Sequence, residues 1–232
     1  FHDVFPQATD KHITNTPDSI EYEHQRKVNT AWIEFAAKHG MDGVTLSPGI
    51  YWPGLTVEQA FNRSRDQLRV LVDVAAEFAM NLRIEPHVDS VTWSPELALR
   101  MLDEVPGLSF TLDHSHFVFH GMPYEQIALM HPHGTHWHAR QASLSRLQAR
   151  FDEGTVDFGR IVADLIGEGG YDIFAVHFME SDTVAHHFWH LADKSSPRYV
   201  AGGLAVGPLE VYRALDLELG QLVEAAGPDA SV

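Results

Sequence analysis

Short apolar runs alternate with amphipathic stretches along this chain, and that alternation predicts its elements. Gly43-Val44-Thr45-Leu46-Ser47 reads as a buried strand, preceded by a helix that ends near Lys38-His39-Gly40. From Thr56 to Met80, apolar residues at Leu68, Leu71, Val72, Val74 and Ala75 fall on one helical face, with acidic residues opposite. Leu82 to His87 reads as the next strand, and Ser94-Pro95-Glu96 opens a helix with Ser as N-cap and Pro at the first helical position. Strands are then expected at Leu108–Asp113, at Thr135–Ala139 and at Tyr171–Phe178. Helices are expected within Tyr124–Met130, over Val156–Ile166 and near Leu209–Ala225.

Strands separated by helices pair in parallel through right-handed crossovers, so the fold class is α/β. A barrel and an open doubly wound sheet both satisfy that pattern. The polar residues favour the barrel. Glu85, Asp113 and His138 lie at or near the C-terminal ends of three successive strands. In a parallel (β/α) barrel those ends converge on one mouth. With a strand period of two, Glu85 and His87 share a face, as do His136, His138 and Arg140. Burying so many polar groups together costs several kcal/mol unless something pairs with them. A divalent cation held by two carboxylates and an imidazole would do so. That donor set suits Mn²⁺, Mg²⁺, Co²⁺ or Zn²⁺ without selecting among them.

Composition narrows the picture. Apolar residues make up 44% of the chain and charged residues 21%, the profile of a globular protein rather than a disordered one. Cysteine is absent, which removes disulfides and thiolate sites, fits a cytoplasmic location, and leaves carboxylates and the sixteen histidines as the strong metal ligands. A net charge of −16 repels phosphate backbones, so nucleic acid is not an expected partner. No apolar run is long enough to span a bilayer, so no membrane partner is expected either.

Taken in order, Ile84-Glu85-Pro86-His87, Thr111-Leu112-Asp113-His114-Ser115-His116 and His136-Trp137-His138-Ala139-Arg140 resemble the sugar isomerase/epimerase superfamily with the xylose-isomerase-like TIM barrel. Glu153-Gly154-Thr155-Val156-Asp157-Phe158 looks like the loop that follows its seventh strand. The similarity runs from about Glu21 to Asp157. It implies a metal held by Glu85 on strand five, Asp113 on strand six, His138 on strand seven and a residue of strand eight. His177 stands where that last ligand, normally Glu, is expected, and Glu180 follows three residues later. By the same resemblance His87, His116, His136 and Arg140 would meet a sugar or sugar-phosphate substrate. Glu85 and Glu180 would share the acid and base roles while the metal stabilises an enediolate. The superfamily's DNA-repair endonucleases carry an extra Asp-x-His pair after strand seven, which this chain lacks.

The tail has a second resemblance. His177 to Trp189 is similar to type I phosphodiesterases and nucleotide pyrophosphatases of the alkaline phosphatase superfamily, with Asp182 and His186 matching ligands of one of their two zinc ions. The later Asp-His pair of that family would follow Ala230-Ser231-Val232, where the chain stops. The domain reading is therefore a partial barrel over 1–170 and, over 171–232, a last strand and helical tail resembling a phosphodiesterase fragment. Asp3-Val4-Phe5 would be the third barrel strand, with the first two missing, as in a truncated or fused chain. An unclosed parallel sheet exposes backbone and apolar surface, which favours self-association into a homo-oligomer. A chain of this kind could also be an inactive domain that folds only with a partner.

Overall fold

The computed structural model describes residues 3–4, 14–150, 153–168, 188–199 and 207–226. Two compact units divide between Val156 and Asp157. The first holds a parallel sheet of β1 (Asp3–Val4), β2 (Gly43–Leu46), β3 (Asn81–Ile84), β4 (Leu108–Asp113) and β5 (Gly134–His138). Between them run α1 (Ser19–Lys38), α2 (Val57–Glu77), α3 (Pro95–Glu104), α4 (His114–Phe119) and α5 (Tyr124–Ala128). The expected strand at Asp3-Val4 is present, paired in parallel with β2.

Each strand pairs with its predecessor in the chain, in the order β1-β2-β3-β4-β5. That is the order of a barrel wall; a doubly wound sheet reverses direction at a switch point. Curvature is visible in one contact. β2 and β4 are two strands apart, about 9.5 Å in a flat sheet, yet the hydroxyls of Thr45 and Thr111 are 2.7 Å apart. The wall bends toward the face that carries Thr45, Arg83, Thr111 and Asp113. The opposite face, with Val44, Leu46, Leu82, Ile84, Phe110 and Leu112, is buried in the core with Ile33 of α1, Phe61, Leu68 and Leu71 of α2, and Met101 of α3.

The helices start where the sequence dictates. The Thr56 side chain accepts from the Gln59 N–H while Gln59 returns a bond to the Thr56 N–H, a complete capping box for α2. Thr56→Ala is expected to lower stability by about 1 kcal/mol, read as a shifted urea midpoint; an unshifted midpoint would show that tertiary packing alone sets this helix start. Ser94 caps α3 from the Leu97 N–H, with Pro95 at the first position.

On the concave face the guanidinium of Arg83 forms a floor. It is 1% exposed, donates from Nε to Thr135 Oγ1 at 2.7 Å, and pairs with Asp42 at 2.8 Å. Gly43 makes room for it, since a Cβ there would stand 1.9 Å from Arg83 Nη1. The register shifts between Phe110 and Thr111: Phe110 pairs with Gly134 and Thr111 with His136, leaving Thr135 as the extra residue of a bulge. Thr135 and His136 are thereby turned to the same side, and Thr135 reaches both Arg83 and Ser109.

The second unit is helical where described, with α6 (Phe158–Glu168) packed on α7 (Gly207–Ala226). The strand expected at Tyr171–Phe178 lies outside the described residues. Among the described residues no helix is long and apolar enough to cross a membrane.

Candidate metal centre

Glu85 follows β3 directly. Its N–H donates to the Leu46 carbonyl at 3.2 Å, which extends the parallel ladder by one step and keeps its side chain on the concave face. Asp113 ends β4 and His138 ends β5, paired in register with each other. One donor atom from each of Glu85, Asp113 and His138 lies within 4.8 Å of the other two. Glu85 Oε1 is 3.0 Å from His138 Nδ1 although their strands are not neighbours. The curvature that joins Thr45 to Thr111 one layer below brings these groups together as well.

A turn of chain braces the cluster. Asp113 caps α4, its Oδ1 accepting from the Ser115 N–H at 2.9 Å, and its Oδ2 pairs with Arg140 at 2.8 Å. Arg140 also donates from Nε to the Ser115 hydroxyl at 2.9 Å and places Nη2 2.8 Å from His116 Nε2. That nitrogen lies farther from Glu85, 3.5 Å, and from Asp113, 3.7 Å. His87 stacks on His116 with ring centroids 3.8 Å apart. Its Nδ1 is 3.0 Å from the Val88 carbonyl, which can only accept, so the His87 proton sits on Nδ1 and Nε2 is an acceptor.

Charge is distributed accordingly. Burial pushes the Glu85 carboxyl up, but the imidazoles of His116 and His138 outweigh it and hold Glu85 well below the usual carboxylate range. Burial pulls His138 down, and Glu85 beside it more than restores it, so His138 is raised. His87 is lowered, first by burial and then by the neighbouring His116. The arrangement fits a cation. Asp113 accepts one hydrogen bond on each oxygen and a carboxylate has about four acceptor positions, while the proton at His138 Nδ1 stands where a positive charge is favoured.

Five of the expected site residues meet directly here: Glu85, Asp113, His116, His138 and Arg140. His87 joins them through His116. His136 sits one layer lower, in register with Thr111, its ring 5.4 Å from that of His138. His87 and Arg140 are not strand residues, as the period-two reading had them; β3 stops at Ile84 and β5 at His138. His177, Glu180, Asp182 and His186 lie outside the described residues. Ser115, which ties Asp113 to Arg140, is absent from the sequence expectations; the one signal for it was its place inside the Asp-x-x-His run.

A family profile for the xylose isomerase-like TIM barrel matches residues 5–194. The chain belongs to that family. The xylose isomerase-like match extends beyond the motif-bearing stretch 21–157 and includes His177–Trp189, the run likened to phosphodiesterases, ending at residue 194. No curated protein matches the chain in sequence. Among solved structures, a D-tagatose 3-epimerase-like protein aligns over 95% of this chain and 79% of its own, with TM-score 0.68 and 15% identity. The 3-keto-D-glucoside 4-epimerase of E. coli aligns over 93% and 78%, with TM-score 0.63 and 15% identity. The IOLI protein, solved with a zinc atom bound, aligns over 95% and 75%, with TM-score 0.61 and 16% identity. At these identities the likeness is one of fold, a TIM-barrel-like α/β architecture.

Proposed function

We propose that this chain is a metal-dependent sugar or sugar-phosphate isomerase or epimerase that acts by proton transfer next to a carbonyl. One observation carries the reading: Glu85, Asp113 and His138 bring their donor atoms within 4.8 Å at the C-terminal ends of neighbouring parallel strands. These three would hold a divalent ion, Mn²⁺, Mg²⁺, Co²⁺ or Zn²⁺, with His177 as the fourth ligand. The bound cation would stabilise the negative charge that develops when a C–H beside a carbonyl loses its proton.

The chain's own residues supply the rest. Ser115 and Arg140 orient Asp113, so its carboxylate is set before a cation arrives. His116 and His87 form a stacked pair beside the carboxylates, where Arg140, His116 and His87 can donate to or accept from sugar hydroxyls. A carboxylate held as acidic as Glu85 is a good ligand and a weak base, because a general base works best near the working pH. Proton transfer by Glu85 therefore requires that substrate binding relieve its contact with His116, with Glu180 as its partner. The absence of cysteine supports a cytoplasmic setting.

The test is calorimetric titration of the metal-stripped chain with Mn²⁺ and Zn²⁺, with Asp113→Ala alongside. Loss of more than about a hundredfold in affinity is expected, beyond what disturbing an outer-shell group produces. An unchanged affinity in Asp113→Ala would sink the assignment.

A further inference from the structure

Outward from the metal ligands, the three loops that follow β2, β3 and β4 share a composition. Residues 47–56, 85–94 and 114–123 contain no Lys or Arg, and they carry Tyr51, Trp52, Trp93, Phe119 and His120. These loops leave the same strand ends as the metal cluster, so they form its rim. They are also joined to one another: Ile50 bridges to Ser90, and the Val91 N–H donates to the Gly49 carbonyl at 2.9 Å.

The third loop fixes the position of the aromatics relative to the site. His116 and His120 are four residues apart on α4 and its C-cap, so they lie on one helix face about one turn, or roughly 5.4 Å, apart. His116 meets His87 of the second loop, at the cluster. His120 meets Trp93 of that loop, with ring centroids 5.2 Å apart. The second loop therefore runs along α4 from a ring pair at the metal ligands to a ring pair one turn farther out. The Trp93 indole N–H donates to the Tyr51 hydroxyl. Its one polar atom is engaged, yet 36% of the Trp93 surface is exposed.

We propose that Trp93, backed by Tyr51 and His120, is a stacking platform for the end of the substrate farthest from the metal ligands, and that this end is an uncharged sugar ring rather than a phosphoester. The proposal rests on the sugar reading above. The apolar C–H face of a sugar ring matches an indole, and the offset of one helical turn matches the length of such a ring. A phosphate at that place would meet no cation from the three loops, and would face Glu85 and Asp89 of the second. Arg140, the nearest cation in the cluster, is already shared among Asp113, Ser115 and His116.

The test uses the full chain loaded with Zn²⁺, and saturation-transfer NMR with D-fructose and D-fructose 6-phosphate. D-Fructose is expected to bind through its C–H face. Trp93→Ala should weaken it about tenfold and Trp93→Phe should restore most of the loss, with Zn²⁺ affinity unchanged in both variants. Tighter binding of the 6-phosphate, equal binding of D-fructose to wild type and Trp93→Ala, or no binding of either ligand would overturn the platform. Should D-fructose binding depend on Trp93 yet persist after metal removal and in Asp113→Ala, the platform stands and the metal-dependent isomerase reading fails.

Discussion

Arg83→Ala is expected to cost about 3 kcal/mol of stability. The side chain is 1% exposed, so its removal opens a void in the barrel floor. It also strips Thr135 of the donor at 2.7 Å and Asp42 of its partner at 2.8 Å. Two further variants separate volume from charge. Arg83→Met fills most of the space without burying a charge and should stay within about 1.5 kcal/mol of wild type. Asp42→Ala keeps the volume but leaves the buried guanidinium without its carboxylate, and should cost about 2 kcal/mol. Asp42 is itself 59% exposed, so the loss falls on Arg83, and in the Arg83→Met background Asp42→Ala should be nearly silent. Urea midpoints of wild type and the four variants decide the matter. Equal losses for Arg83→Ala and Arg83→Met would mean that the polar bonds, not the filling, hold the floor.

Acid should destabilise the metal-free protein well above the range in which carboxylates titrate. His114 and His131 are buried against each other, Nε2 to Nε2 at 2.9 Å, between Tyr124 and Trp137. Burial, reinforced by His131, pushes His114 down to about 3. The folded state therefore keeps His114 neutral, while the unfolded chain takes up a proton as the pH falls through the ordinary histidine value. Stability is complete above that value and falls with decreasing pH, by about 2 kcal/mol between pH 7 and pH 5 at 1.36 kcal/mol per unit. His138 is raised, so its contribution has the opposite sign: it is present below the ordinary histidine value and lost as pH rises past it. The comparison is therefore made between wild type and His114→Phe, which keeps a ring against Trp137. The variant should lose most of the acid slope; parallel slopes would assign it to other groups.

Much of this fold was legible because its signals were local and physical. Leu108–Asp113 stood out as an apolar run, and Ser94-Pro95 marked the start of a helix by cap and φ alone. The cluster was legible because Glu85, Asp113 and His138 each close a strand. What escaped was set by partners distant in sequence. Leu82 to His87 reads as one strand, yet β3 stops at Ile84 and its ladder one bond later at Glu85: Pro86 has no N–H to give, and the His87 N–H turns to the Ser90 hydroxyl. α4 is six residues of His-Ser-His-Phe-Val-Phe with strand-like propensity, made helical by the cap that Asp113 provides. Arg83 lay in plain view two residues before Glu85, on the same face. Its role required Gly43, Asp42 and Thr135, which no pattern within one strand connects.

The bulge in β5 uncouples the barrel's floor from its mouth. Because Thr135 is the unpaired residue, the pairings Thr111 with His136 and Asp113 with His138 keep their phase whether or not it is present. A lineage could gain or lose one codon at this place, and with it the Thr135 contact that anchors Arg83, while the strand end that bears His138 stayed in frame. Floors of different chemistry under one inherited mouth are what such a strand permits.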